Sequence, residues 1–252
     1  MSDLVRYATD GPAAVVTINR PDKRNALSRA LIAALADAFT RAAGDNSRCV
    51  VLTGEGVAFC AGMDLDELRG TLGDDADKVW GDANTLSALY EQIYTLPKPT
   101  IAAVNGAAVA GGAGLVTVCD LAVGVPSAKF GYPEVRRGLV AAMVMPHLLR
   151  HVGERAARWM LLTGELIDAA EAHRAGLVNA VVQPDQLMPT ATAWARSIAE
   201  GGPNALAKTK ELLRDVPSVA DLAKASAEPR LTNECRGGLA AFFDKRPAPW
   251  VG

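Results

Sequence analysis

The chain has 252 residues, 50% of them hydrophobic and 21% charged, with 26 Lys plus Arg against 28 Asp plus Glu and a formal net charge of −2. That length suits one large domain, or one domain with an appendage, and the apolar share excludes global disorder. The near-balanced charge lacks the basic footprint of a nucleic-acid binder.

The opening stretch, MSDLVRYATDGP, carries acids and no apolar run, so no signal peptide is expected. After the turn Asp10-Gly11-Pro12, Val15-Val16-Thr17-Ile18 reads as a strand that Arg20-Pro21-Asp22 breaks. Ser28 suits the N-cap of a helix running to about Ala43, with Leu31, Leu35, Ala38 and Phe39 on one face. Cys49 to Leu52 is the next strand, and Thr53 to Gly56 a loop. Asp64 to Asp82, polar and glycine-containing, reads as a mobile lid-like segment, followed by a helix from Asn84 to Leu96. Ile101 to Val104 is a strand, a helix starts near Gly111, and Leu121 to Val123 is a further strand. This alternation predicts an α/β fold with helices packed on sheets.

Past residue 140 helical periodicity takes over: Met145 to Thr163, Asp168 to Ala175, Asp185 to Ala199, Pro203 to Arg214 and Ser218 to Phe243. Val178 to Val182 is the one late strand. We therefore expect a core over residues 1–190 and a helical appendage over 191–252, of the kind that packs on a neighbouring subunit.

Several chemistries find no support. Thr100 to Cys119 is uncharged and as long as a membrane span, but Asn105-Gly106 and its cluster of glycines fit a buried strand, turn and small-residue helix better. Cys49, Cys60, Cys119 and Cys235 form no C-x-x-C pair, and three lie in apolar runs, which suits a reduced, cytoplasmic chain. His147 and His151 stand four apart on a predicted helix without an acidic or thiol companion at ligand spacing, so no metal site is expected. The nucleotide-binding glycine motifs and the G-x-S-x-G elbow are absent.

Two glycine-marked turns follow buried strands: Phe59-Cys60-Ala61-Gly62-Met63-Asp64-Leu65, and Val104-Asn105-Gly106 with Ala110-Gly111-Gly112-Ala113-Gly114. A turn of this kind that opens a helix exposes unpaired N–H groups, and two such groups can converge on a developing oxyanion. The same residues also suit tight helix–sheet packing. In Phe130-Gly131-Tyr132-Pro133-Glu134, Pro133 fits the first helical position and Glu134 the first turn, where a carboxylate either stabilises the helix end or faces a cavity.

In order along the chain, these segments resemble the crotonase (enoyl-CoA hydratase/isomerase) superfamily over nearly the whole length. The resemblance rests also on Asn19-Arg20-Pro21-Asp22-Lys23-Arg24-Asn25-Ala26-Leu27-Ser28, on Cys119-Asp120-Leu121, on Thr163-Gly164 through Ala175-Gly176-Leu177-Val178, and on Phe242-Phe243-Asp244-Lys245-Arg246. It implies a crotonase-type spiral of β-β-α units with a helical C-terminal trimerisation region, assembled as a homotrimer or a dimer of trimers. It implies an acyl-CoA thioester substrate, coenzyme A being part of that substrate and not a separate cofactor, with neither nucleic acid nor membrane as partner. By position, the backbone N–H groups of Met63 and Gly111 match the family's oxyanion hole, and Glu134 matches an acid–base glutamate. Lys23, Arg24 and Ala26 match the lining of the CoA entrance; Ala61, Asp64 and Leu65 match the adenine and pantetheine path. Phe242 and Lys245 match residues reaching CoA from the tail of the same or a neighbouring subunit.

Two positions depart from the pattern. The family's hydratases usually carry a second glutamate where this chain has Gly114, and a basic CoA contact where it has Asp66. Members resembling methylglutaconyl-CoA hydratase share a similar A-G-G-A-G and E-V-R pattern, so the resemblance implies hydration of a 2-enoyl-CoA with Glu134 alone moving protons. A 3-enoyl to 2-enoyl isomerase, a decarboxylase and a non-catalytic acyl-CoA binder are the alternatives. Arg136 and Arg137, beside Glu134, suit either an anionic acyl group or solvent.

Overall fold

A computed structural model describes residues 4–73, 75–215 and 219–251. Its elements in chain order are β1 (Val5–Asp10), β2 (Ala13–Ile18), α1 (Arg29–Gly44), β3 (Cys49–Gly54), β4 (Ala58–Cys60), α2 (Leu65–Gly70) and α3 (Ala76–Thr95). There follow β5 (Thr100–Val104), β6 (Ala107–Val109), α4 (Gly111–Thr117), β7 (Leu121–Gly124), β8 (Lys129–Gly131), α5 (Met145–Thr163), β9 (Ile167–Asp168) and α6 (Ala169–Ala175). Last come β10 (Ala180–Val181), α7 (Leu187–Ala199), α8 (Pro203–Arg214), α9 (Val219–Ala227) and α10 (Asn233–Phe243).

The strands form two sheets, a larger one in the order β1-β2-β3-β5-β7-β10 and a smaller one in the order β4-β6-β8-β9. Among the described residues only β1–β2 and β8–β9 pair antiparallel. The logic is a repeat. Each of the pairs β3–β4, β5–β6 and β7–β8 gives its first strand to the larger sheet and its second to the smaller, before a helix returns the chain. Parallel neighbours need such crossovers. The strands of the larger sheet read as continuous apolar runs because helices cover them: Cys49 to Thr53 and Thr100 to Val104 are buried throughout. The turn between β5 and β6 is fixed by Asn105, whose side chain accepts from Gly54 N at 3.2 Å and donates to the Gly56 carbonyl at 2.9 Å.

Three sequence expectations are corrected. The segment from Asp64 to Asp82 is not a loop but mostly helix. Asp64 caps α2 by accepting from Asp66 N and Glu67 N, and Asp75 caps α3 by accepting from Lys78 N, so α3 begins eight residues before Asn84. The expected helix from Ser218 to Phe243 is two helices: Pro229 sits in a 3-10 turn over Glu228–Leu231, and Thr232 caps α10 by accepting from Cys235 N. Ser218 itself lies outside the described residues. The strand expected over Val178 to Val182 pairs only at Ala180 and Val181, against β7. Helix α7 packs Leu187, Ala191 and Ala195 into the main core. Among the described residues no helix is long and apolar enough to cross a membrane.

Candidate active site

The site begins with four cross-links between the loop that precedes α1 and the turn that follows β4. Leu27 N donates to Gly62 O at 2.7 Å, Asp64 N donates to Leu27 O at 3.0 Å, and Ala61 N donates to Arg24 O at 3.0 Å. The fourth is ionic: the Arg20 guanidinium lies 2.6 Å from the Asp64 carboxylate. The loop can turn this sharply because Arg24 and Asn25 both adopt left-handed backbone conformations, with φ of 51° and 57°. Asn25 is fully buried and ties the turn down by donating to Glu55 O at 3.0 Å and Ala58 O at 2.7 Å.

The second turn docks directly on the first. Gly62 has φ of 89°, and a Cβ there would lie 2.8 Å from the Ala110 Cβ and 3.2 Å from Gly111 N. Only glycine therefore allows the Gly62–Met63 and Ala110–Gly111 peptides to sit side by side. Ala110 itself holds φ 53° and ψ −125°, a strained conformation for a residue with a side chain. It is clamped by its N–H donating to Gly131 O at 2.8 Å and its carbonyl accepting from Gly114 N at 3.1 Å. Among the described residues, no acceptor is recorded for the N–H of Met63 or of Gly111. Both residues line one cavity. Unpaired backbone donors facing a cavity are rare, and a paired set can bind negative charge developing on one oxygen.

Glu134 lines the same cavity. It stands in a 3-10 turn over Pro133–Arg137, with Pro133 at the turn's start, as the sequence predicts. Its Oε2 is buried and has no hydrogen-bond partner. Burial raises its carboxyl above the ordinary range, while its own backbone N–H and nearby Arg137 pull the other way. A carboxyl oxygen buried at a cavity and kept free of partners is available to take and return protons. The other two acids lining this cavity, Glu67 and Asp82, are engaged. Glu67 accepts from Arg29 N at 2.8 Å, and Asp82 pairs with the Arg29 guanidinium at 2.6 Å.

The cavity encloses about 460 Å³. Leu68, Leu86, Leu139, Val140, Met143 and Val144 give it apolar walls. A second cavity of about 720 Å³ adjoins it, and the two share Ala61, Met63, Leu65, Val109, Pro133 and Arg137. The second is lined by Lys23, Arg24, Ala26, Ala61, Asp64 and Leu65, so the sequence-predicted entrance residues do come together, joined by Arg136 and Arg137. Asp64 has a structural task there. Its hydrogen bond with Arg20 holds its carboxyl below the ordinary range, and it caps α2. Asp66 lies 3.5 Å from both Lys23 and Arg69 and so offsets cationic charge at the mouth. Phe242 and Lys245 line neither cavity; Phe242, at the end of α10, is 75% exposed.

Sequence reasoning missed Tyr90. It was hidden within the apolar face of α3, yet it lines the first cavity and its hydroxyl donates to Gly111 O at 2.7 Å. The place expected for a second glutamate is closed: a Cβ on Gly114 would lie 2.6 Å from both Tyr90 Oη and Val144 Cγ1. Among the described residues no group of three metal-binding side chains occurs.

Two interleaved sheets, two free N–H groups and one unpartnered acid above an apolar cavity define an acyl-thioester enzyme of the crotonase class, and the comparisons agree. The chain matches the family model for enoyl-CoA hydratase/isomerase over residues 9–252. A Thermus thermophilus protein assigned as an enoyl-CoA hydratase is 44% identical, covering 94% of this chain and 96% of that one. The 2,3-dehydroadipyl-CoA hydratase of Escherichia coli is 36% identical, with both chains covered in full. The crystal structure of an enoyl-CoA hydratase/isomerase from Marinobacter aquaeolei superposes with a TM-score of 0.93 at 33% identity, again over all of both chains. The chain belongs to the enoyl-CoA hydratase/isomerase family.

Proposed function

We propose that the protein adds water across the double bond of a 2-enoyl-CoA thioester, with Glu134 as the sole acid–base group. The observation that supports this most directly is the unpartnered, buried Oε2 of Glu134, in a residue that lines the same cavity as Met63 and Gly111. The thioester oxygen accepts from those two N–H groups, an oxyanion hole. Glu134 takes a proton from water as the water oxygen bonds to C3, and the C2=C3 electrons move toward the thioester oxygen. The enolate so formed is held by the two amides. Glu134 then returns the proton to C2 on the same face, and the carbonyl re-forms. Donors aimed at a developing oxyanion contribute about 3 kcal/mol each. Coenzyme A enters as part of the substrate, its pantetheine and nucleotide in the second cavity against Lys23, Arg24, Ala26, Ala61 and Leu65.

Incubation with crotonyl-CoA tests the proposal: the conjugated enoyl-thioester absorbance should fall, and should persist with Glu134→Gln. A second reading draws on Gly114, which leaves one free carboxylate by the thioester. That one acid suffices to carry a proton from C2 to C4 and isomerise a 3-enoyl-CoA, which would instead raise the absorbance. Residues 191–252 are proposed to serve assembly into trimers, with Phe242 and Lys245 reaching the CoA of a second copy; a sedimentation measurement checks the trimer. A cytoplasmic location agrees with all four cysteines being free.

A further inference from the structure

Tyr90 has no part in the proton steps above, yet it is built into the chamber. Its side chain enters from α3, 2% exposed, and its hydroxyl donates to Gly111 O at 2.7 Å. Among the described residues this is the one side-chain hydrogen bond recorded to the segment 110–112. It adds to the two backbone bonds that clamp Ala110. Ala110 is strained at φ 53°, and the two residues after it are glycines, whose backbones resist rotation least. The Gly111 N–H belongs to the Ala110–Gly111 peptide, whose carbonyl Gly114 N holds at 3.1 Å, so the Tyr90 bond adds a second restraint on the far side of Gly111, and its loss leaves that N–H less firmly aimed. The hydroxyl also stands where a side chain at 114 would begin, 2.6 Å from an added Cβ, with the ring's Cζ at 2.8 Å. Burial raises the phenol's pKa well above its ordinary value, with the nearby titratable groups Cys60, Tyr132 and Glu134 acting in the same direction, so the hydroxyl keeps its donor proton.

We propose that Tyr90 is a positioning residue: it acts through Gly111, holding that residue's N–H on the thioester oxygen, and thereby sets the strength of the oxyanion hole. This rests on the oxyanion-hole reading given above.

The first test is Tyr90→Phe, which removes one oxygen atom. Because the donor is loosened and not removed, kcat for a 2-enoyl-CoA should fall about ten-fold, less than the loss of a whole donor costs. Affinity for a saturated acyl-CoA should stay within about two-fold, since the ground-state carbonyl leans little on the hole. The infrared carbonyl stretch of that bound saturated thioester should move to higher frequency, reporting weaker polarisation. Gly114→Ala provides a second route should Tyr90→Phe fold poorly, because the added methyl displaces the hydroxyl without deleting it. It should produce the same infrared shift and the same loss of kcat. The inference is overturned if both variants keep wild-type kcat and carbonyl frequency. It is equally overturned if kcat, saturated-ligand affinity and melting temperature fall together, which marks a packing role only. The oxyanion-hole reading itself fails on a separate result: wild-type protein that polarises no bound thioester carbonyl and turns over neither 2-enoyl- nor 3-enoyl-CoA, which removes the Tyr90 proposal with it.

Discussion

Arg20 and Asp64 lie 2.6 Å apart with side chains only 20% and 7% exposed, and their contact ties the loop before α1 to the start of α2. Asp64 also caps that helix, so two tasks meet in one carboxylate. Asp64→Ala removes both and should destabilise the fold by about 2–3 kcal/mol, through a lost cap and a stranded guanidinium. Asp64→Asn keeps a capping oxygen and should cost less. Urea titration of the two variants measures the difference, and equal losses would show that the cap contributes nothing.

Glu134→Gln should lower kcat by about 10²–10⁴-fold, the usual contribution of a positioned acid–base group. The wild-type pH profile should carry an acid limb set by this carboxyl. Burial raises it, so the ionised form needed to accept a proton prevails only above the ordinary glutamate range. Activity should therefore decline on acidification at a pH above that range, and the residual activity of the variant should show no such limb.

Gly114→Glu should not create a second acid–base group. A Cβ at that position already lies 2.6 Å from Tyr90 Oη and Val144 Cγ1, so the larger side chain overfills the core. A loss of about 1–3 kcal/mol is expected, with lower turnover. Denaturation midpoints and kcat together check this; a stable variant with raised kcat would contradict it.

His147 predicts a dependence of stability on pH. It stacks edge-on against Tyr94 with ring centroids 4.6 Å apart, and its Nδ1 is buried without a partner. Burial, with Arg150 and His151 nearby, lowers its pKa from 6.5 to about 4. Between those values the unfolded chain binds the proton and the folded chain does not, so stability should fall as pH drops from 6.5 towards 4. His147→Phe keeps the ring contact and should flatten that part of the curve, as measured by unfolding at several pH values.

The larger sheet and the ordered motifs were legible because their signals are local. Cys49 to Leu52 and Ile101 to Val104 are unbroken apolar runs, and Pro133 with Glu134 announces a helical turn. The smaller sheet was not, since β4, β6 and β8 are three residues each, too short for any period to show. Helix α2 and the first two turns of α3 were hidden by their polarity, though Asp64 and Asp75 marked the caps. Tyr90 gave no signal of its own, because it falls on the buried stripe with Leu86, Leu89 and Ile93. Its meaning lies in a backbone carbonyl 21 positions away, a relation that no spacing rule encodes.

The repeated crossing of the chain between its two sheets means that the Met63 amide, the Gly111 amide and Glu134 come from three successive units, each leaning on the one before. Long-range parallel pairing of this sort is slow to form. On refolding from urea, helical circular dichroism should recover early and turnover late. Enzymatic activity then times the last act of folding and reports on the finished molecule alone.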